Sequence, residues 1–433
     1  MWAPFYVFKL DLRKNTLFKQ KFDKVKRGES MKKELRDVAV LGVGHTKFGR
    51  SPDKSLMDLF GEAALEALKA SNIEKEKVEA VFVGQHVGEL TDGTSNFAPF
   101  AAAEIGLAGV PATRMEGACA SSSVAFREAY LLVAAGVYDV VLVGGVERLL
   151  SAGTAIGTRA LATSADGVYE FNAGLTFPGI FAMAAILYSK KYDIPLDELR
   201  EKMAHVSMKN HGYAALNPKA QFYKKLGDLK VEDVLSSRMI AYPLTLLDCC
   251  PMTDGAAACI LAEASIAEKC VEKPIYVLGA GQSSAGGIYR QKDITVPMSR
   301  VRSCKMAFEQ AGLTPDDVDV VELHDCFTIA EIIASEAMGF FEFGEGADAV
   351  AEGKTKIGGK PAVNPSGGLI GKGHPVGATG VSQIYAIVKQ LRNEMEPREL
   401  QVHDAKIGMT DTLGGDFGTI CNIILSTERW GEA

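Results

Sequence analysis

The sequence predicts an α/β protein built from two similar halves, and three observations carry that prediction. First, the glycine-ended apolar run Val38-Ala39-Val40-Leu41-Gly42-Val43-Gly44 nearly recurs as Ile275-Tyr276-Val277-Leu278-Gly279-Ala280-Gly281. Both runs read as buried strands. Second, each is followed by an amphipathic helical stretch and a further apolar strand. Leu59, Ala63, Leu65, Ala67 and Leu68 precede Val78–Val83, and Met306, Ala307 and Phe308 precede Val318–Leu323. The two spacings nearly agree, 237 residues from Val38 to Ile275 and 240 from Val78 to Val318. Third, the helix expected after Cys119 has a counterpart from about Ala378 to Leu391, and the strand Val140–Val143 pairs with Ile420–Leu425. Strands separated by helices predict a mostly parallel sheet with helices on its faces and ligands beyond the carboxyl ends of strands. The competing reading is the chance recurrence of a β-α-β pattern, and four matches in one order argue against it.

At 433 residues the chain exceeds what one hydrophobic core serves. We divide it into a first half, 31–150 with 251–272, an inserted loop domain, 151–250, and a second half, 273–433. Residues 1–30, with their basic run Lys19, Lys21, Lys24, Lys26 and Arg27, read as an extension outside the fold. They lack the apolar core of a secretory leader, and their acidic residues weaken a transit-peptide reading.

Composition is that of a soluble protein, 47% apolar and 23% charged. A net charge of −7 argues against a nucleic-acid partner. No apolar run reaches the ~18 residues a membrane span needs. The eight cysteines form no CxxC pair and no Cys/His metal spacing, so they are expected to be reduced thiols in a cytoplasmic protein.

The insertion mixes a Gly-rich stretch (Gly153, Gly157, Gly167, Gly174, Gly179) with a helix near Phe181–Tyr192. A polar, basic segment follows, with Lys209, Asn210, His211, Asn217, Lys219, Lys224 and Lys225. An insertion of this length is functional or a cover. Its lysines fit solvated side chains or phosphate contacts.

Three stretches carry candidate chemistry. Gly117-Ala118-Cys119-Ala120-Ser121-Ser122-Ser123 sets a cysteine at the mouth of a helix that Gly136 closes. Free backbone N–H groups and the positive end of the macrodipole there favour thiolate. A buried structural cysteine is the alternative. Glu322-Leu323-His324-Asp325-Cys326-Phe327-Thr328 follows a strand directly, so His324 and Cys326 fall on its ligand side. Gly371-Lys372-Gly373-His374-Pro375-Val376-Gly377-Ala378 precedes the counterpart of the Cys119 helix. A pseudo-twofold would bring Cys119 and His374 face to face, and Pro375 holds the histidine in extended backbone. Satisfied core or loop histidines are the rival reading. Gly371, Gly373 and Gly377 are wrongly spaced for GxGxxG, which removes a nicotinamide dinucleotide. A cysteine with two histidines and a second cysteine matches nucleophilic acyl chemistry.

These stretches, with Asn364-Pro365-Ser366-Gly367-Gly368 and Gly414-Gly415-Asp416-Phe417-Gly418, resemble the thiolase superfamily. The resemblance is to the sterol-carrier-type and archaeal acetyl-CoA acetyltransferase branch, and runs from about residue 35 to the end. It implies a layered αβαβα fold of two pseudo-twofold halves and an acyl-CoA C-acyltransferase. That enzyme joins two acetyl-CoA into acetoacetyl-CoA, reversibly, toward mevalonate-type isoprenoid precursors. It implies Cys119 as the nucleophile and His374 as its activator. His324 would assist the enolate oxyanion hole with His374, and Cys326 would be the acid/base. Phe327 would line the pocket, and the backbone N–H groups of Cys119 and Gly414 would form the second oxyanion hole. Thr412-Leu413-Gly414 stands where many thiolases carry a Cys-x-Gly base, so Cys326 must replace it. No metal or redox cofactor is implied. Coenzyme A thioesters are substrates, with Lys209 and Lys219 in the basic segment as phosphate contacts. The implied assembly is a homodimer or homotetramer, with a possible complex of a zinc-bearing acyl-CoA-binding protein and HMG-CoA synthase. The alternatives are a degradative 3-ketoacyl-CoA thiolase for longer chains and a thiolase-like scaffold or lipid-binding subunit.

Overall fold

A computed structural model describes residues 35–429; the extension assigned to residues 1–30 lies outside them. In chain order the strands are β1 (Val38–His45), β2 (Ala80–Gly84), β3 (Ala112–Met115), β4 (Val140–Arg148), β5 (Met239–Ala241) and β6 (Leu244–Thr245). They continue with β7 (Asp254–Glu263), β8 (Ile275–Ser284), β9 (Val320–Glu322), β10 (Ala362–Val363), β11 (Ile407–Gly414) and β12 (Thr419–Ser426). The seven longest described helices are α1 (Leu56–Ser71), α2 (Ser121–Ala134), α3 (Phe177–Lys191), α4 (Leu196–Leu216), α5 (Met298–Ala311), α6 (Thr328–Ala337) and α7 (Thr379–Leu391).

Ten strands form one sheet in the order β10-β9-β11-β12-β8-β1-β7-β4-β2-β3, with β5 and β6 paired apart. The order reads the same outward from the β1–β8 seam: β1-β7-β4-β2-β3 on one side, β8-β12-β11-β9-β10 on the other. That is the pseudo-twofold. The seam itself is short, Ala39 opposite Tyr276 and Val40 opposite Ile275.

Two expectations change. The sheet is mixed rather than mostly parallel: outer pairs such as β2–β4 and β9–β11 are parallel, while β4–β7, β1–β7, β11–β12 and β8–β12 are antiparallel. The fourth correspondence also shifts by one strand. Val140–Val143 lies in β4, whose counterpart by position is β11, while β12 matches β7. In the second half a tight turn at Gly415–Gly418 joins these two strands. In the first half the insertion separates them, which hides the match along the chain.

The repeated glycines have one job in both halves. A Cβ at Gly42 would stand 2.2 Å from the Ala67 carbonyl oxygen, and one at Gly279 2.2 Å from that of Ala307. Only glycine lets α1 and α5 seat this closely on β1 and β8. α1 starts at a capping box, Ser55 with Asp58, and buries Leu56, Leu59, Phe60, Ala63, Ala64 and Ala67 on one face. The inner helices α2 and α7 share a core with strands from both halves, including Phe126, Val133, Val143, Ile384, Ile387 and Ile423. Their N-terminal turns touch, the Val381 amide donating to Ser122 Oγ at 3.1 Å, and Ser123 Oγ of α2 meets Thr412 Oγ1 of β11 at 2.6 Å. Outer helices, one half of the sheet, inner helices, the other half of the sheet and outer helices therefore stack in the expected layers. The segment between β4 and β7 lays α3 and α4 over the second half, where Phe181, Ala185 and Tyr188 pack with Phe327, Ile329 and Ile333.

Candidate active site

Each chemical side chain sits at the end of an element that the core holds in place. Ala118 adopts a left-handed backbone, φ 51°, before the single turn Ala118–Ala120 that leads into α2. Ser121 braces it, accepting from the Gly117 amide at 3.0 Å and donating to the Ala118 carbonyl at 2.6 Å. Such strain persists where surrounding bonds over-determine it, and here it fixes Cys119 at the helix mouth. His324 and Cys326 lie between β9 and α6. The His324 amide donates to Asp411 Oδ2 at 3.3 Å. Cys249 pairs with Phe327 in an antiparallel bridge, and the Cys250 amide donates to the Cys326 carbonyl at 3.0 Å. On the far side, the His374 amide donates to Thr253 Oγ1 at 2.8 Å.

Folding brings four of the proposed groups to one cavity of about 430 Å³, lined by Cys119, His324, Cys326 and His374 together with mostly apolar side chains. Phe327 lines it as well, stacked on Phe181 with ring centroids 4.7 Å apart. The Cys119 sulfur and a ring nitrogen of each histidine lie within 4.8 Å of one another. The imidazoles meet edge to face, centroids 5.0 Å apart at 85°.

Hydrogen bonding selects the tautomer of His374. Thr379 Oγ1 donates to the Pro375 carbonyl at 3.2 Å and lies 2.7 Å from His374 Nδ1. We assign the hydroxyl proton to the Pro375 carbonyl, so that the hydroxyl oxygen accepts from Nδ1–H and the lone pair falls on Nε2. Neither ring nitrogen of His324 has a hydrogen-bond partner among the described residues.

Burial overturns the expected resting thiolate. It pushes the Cys119 thiol up to about 12, against the opposing pull of the Gly415 amide, and pushes His374 down to about 3. Burial also drives His324 well below the usual histidine range and Cys326 well above the usual thiol range. These shifts leave a neutral thiol beside a neutral imidazole, so any attack by Cys119 requires that it give up its proton. The helix mouth is too weak a field to offset the lost hydration.

Other assignments move. The amide bonded to the Cys119 sulfur belongs to Gly415. Gly414 is the last residue of β11, paired with Thr419, where an added Cβ would stand 2.0 Å from the Gly117 carbonyl oxygen. Lys209 reaches no phosphate. It is buried in α4, not in a polar loop, and its ammonium donates to Glu331 Oε1 at 2.7 Å and the Val363 carbonyl at 2.9 Å. Lys219 bonds Glu66 and the His45 carbonyl, and lines a different cavity that shares no residue with the first. The Thr412 hydroxyl is engaged by Ser123 and Gln383, away from the cavity.

Several residues received no role of their own from the sequence. Asp325 ties the His324–Cys326 segment to the glycine-rich loop, accepting from the amides of Leu369 at 2.7 Å and Ile370 at 3.3 Å. Asn210 bridges Asp325 and Glu331 at 2.7 and 2.9 Å. Cys249, Cys250 and Met252 line the cavity. Their only signal along the chain was a cysteine doublet before Pro251, since the pairing with Cys326 spans 76 residues (250 to 326).

A buried carboxyl pair sits behind the Gly415 turn. Burial first, and then Glu170, push Asp416 up to about 7. Two carboxyl groups bond only when one holds a proton. The raised value means that this contact is fully present below the ordinary carboxylate range and lost as pH rises through about 7. The Tm is expected to fall by about 1–2 °C between pH 6 and 8, and Asp416→Asn to flatten that fall; a variant that keeps the wild-type slope in a thermal melt assigns the slope elsewhere.

With the geometry in place, comparisons locate the chain among known proteins. Residues 38–265 match the thiolase N-terminal domain and 280–427 the thiolase C-terminal domain-like family. The chain is 42% identical to acetyl-CoA acetyltransferase of Methanothermobacter thermautotrophicus, over 90% of this chain and 100% of that protein. It is 36% identical to benzoylsuccinyl-CoA thiolase subunit BbsB of Thauera aromatica, over 88% and 95% respectively. The solved Ltp2-ChsH2(DUF35) aldolase superposes with a TM-score of 0.76 at 26% identity, covering 90% of this chain and 97% of that one. The two family matches span both halves of the sheet in order, and the chain belongs to the thiolase family.

Proposed function

We propose that the protein is an acetyl-CoA C-acetyltransferase that joins two acetyl-CoA into acetoacetyl-CoA and free CoA, reversibly. The observation that carries this reading is the convergence of Cys119, His324 and His374 within 4.8 Å, beside Cys326 on one cavity wall. The protons balance on these residues. Cys119 attacks the first thioester carbonyl as His374 Nε2 takes its proton, and the amides of Cys119 and Gly415 receive the oxyanion. CoA leaves as a thiolate that takes the proton of Cys326. The Cys326 thiolate then removes the α-proton of the second acetyl-CoA. His374, now protonated on both nitrogens, and neutral His324 donate to the enolate oxygen. Each such donor is worth roughly 3–4 kcal/mol in the transition state. Carbon attacks the acyl group on Cys119, and the departing thiolate recovers its proton from His374.

The test is intact-protein mass spectrometry after brief exposure to acetyl-CoA. One added acetyl group that maps to Cys119 supports the reading, and unmodified Cys119 with acetoacetyl-CoA still formed would overturn it.

The width of the cavity favours a second reading. Its apolar wall, with Phe177, Phe181 and Met252, leaves more room than an acetyl group fills. A 3-ketoacyl-CoA thiolase for longer chains fits that room, and relative kcat/KM for acetoacetyl-CoA and a longer 3-ketoacyl-CoA separates the two.

We place the enzyme in the cytoplasm, supported by eight free cysteines, and assign it to isoprenoid precursor supply. No described helix is long and apolar enough to cross a membrane. A homodimer or homotetramer is proposed, with a zinc-bearing acyl-CoA-binding protein and HMG-CoA synthase as possible partners. The named pairing in the Ltp2-ChsH2(DUF35) aldolase supports a thiolase-like chain working beside a second protein.

A further inference from the structure

Cys119, His324 and His374 are separated by 205 residues (119 to 324) and 50 residues (324 to 374) along the chain, so no metal spacing shows in the sequence. In the fold, one donor atom from each lies within 4.8 Å of the other two, and all three side chains are buried. We propose that this triad binds a borderline-soft divalent cation of the zinc class, and that such a cation competes with acyl-CoA for the site.

The donor set selects the cation. One thiolate and two neutral imidazoles suit zinc and its neighbours, while magnesium and calcium require oxygen ligands that the triad does not offer. Zinc bonds of about 2.3 Å to sulfur and about 2.0–2.1 Å to nitrogen place tetrahedral donors roughly 3.3–3.6 Å apart. Closing from within 4.8 Å asks for side-chain rotation of about an ångström and no change in the strands beneath.

The ring nitrogens are prepared for this. Neither nitrogen of the buried His324 ring has a protein partner among the described residues, so a lone pair is free without breaking a bond. His374 gives Nδ1–H to Thr379, whose own proton goes to Pro375. That outer bond is the kind that metal-binding histidines use to fix the ring and present the opposite nitrogen. Three protein ligands leave one position open, as in catalytic zinc sites. Water fills it, or Cys326 from the same wall.

The step balances without a redox partner. The cation forms a bond to the Cys119 sulfur, the S–H bond breaks, and the proton leaves to solvent. With the sulfur and His374 Nε2 both coordinated, nothing remains to attack a thioester. Coordination itself requires no acyl chemistry; only the competition rests on the proposed function.

Titration of the full-length, reduced protein with Co²⁺ tests the site. Saturation at one ion per chain is expected, with a thiolate-to-cobalt charge-transfer band and visible bands of tetrahedral intensity. Cys119→Ser should lose the charge-transfer band, and Cys270→Ser, at a partly buried cysteine outside the cavity, should keep it. Thr379→Val should weaken affinity roughly 10–100-fold, the usual cost of losing an outer-shell partner. Alkylation of wild-type Cys119 should erase the band, which settles the matter even if a variant fails to fold. Zn²⁺ should block acetylation of Cys119, and a chelator should restore it. The absence of a saturable band, or a band that survives alkylation of Cys119, overturns the proposal. Metal binding without any acetyl adduct would instead sink the acyltransferase reading and leave this site standing.

Discussion

Cys119→Ala is expected to abolish both the acetyl adduct and condensation, whereas Cys326→Ala keeps the adduct and loses condensation by about two to four orders of magnitude. The second figure is the usual contribution of a positioned acid/base. The split follows from geometry. Cys119 lies with His374 and His324 in one tight group, and its attack needs only the free Nε2 lone pair. Cys326 lines the same cavity from the β9–α6 segment, where its carbonyl accepts from the Cys250 amide. Burial holds it as a thiol, and in the proposed cycle CoA thiolate takes its proton. The check is paired: mass spectrometry for the adduct, and acetoacetyl-CoA formation for condensation. Near-normal condensation by Cys326→Ala would remove it as the base and turn attention to Cys250, the neighbouring thiol on the same wall.

The second large effect is on stability. Arg300 and Asp411 form a fully buried ion pair, Nε to Oδ1 at 3.0 Å, and Asp411 also accepts from Asn422 Nδ2 at 3.0 Å and the His324 amide at 3.3 Å. Arg300→Met strands the carboxylate without its counter-ion, and a loss of about 3–5 kcal/mol is expected. Arg300→Met/Asp411→Asn should recover part of that loss, because a neutral amide needs no counter-ion and still offers an oxygen to His324. Denaturant midpoints at constant m-value measure both variants. In the folded protein, Arg300→Met should slow condensation more than acetylation, since the disturbed amide belongs to His324 and not to Cys119. Equal losses in both half-reactions would mean that Arg300 acts only on global stability.

Much of this was legible along the chain because it depends on local chemistry. The strands β1 and β8 announce themselves by short apolar runs, and their glycines recur because α1 and α5 must approach in the same way. The motif residues Cys119, His324, Cys326 and His374 stand at element ends, where turn and helix signals are strong. What failed was non-local. β11 went unrecognised because its run Ile407-Gly408-Met409-Thr410-Asp411 breaks alternation with polar residues that the sheet buries. Asp411 is there for Arg300, a partner 111 residues away. Lys209 looked like a phosphate contact because its counter-charge, Glu331, lies 122 residues on.

By itself the sequence determined the two-halved α/β plan, the strands β1 and β8 at its centre, and the cysteines and histidines that the fold brings to one cavity. Periodicity, glycine placement and motif chemistry act within a few residues, so one dimension suffices for them. Only the tertiary structure decided that Cys119 rests protonated, that Gly415 and not Gly414 faces its sulfur, and that Lys209 is taken up by the buried Glu331 and Lys219 by the partly exposed Glu66. Those outcomes depend on how much water each group loses and which charges meet it, and both are set by segments more than a hundred residues apart.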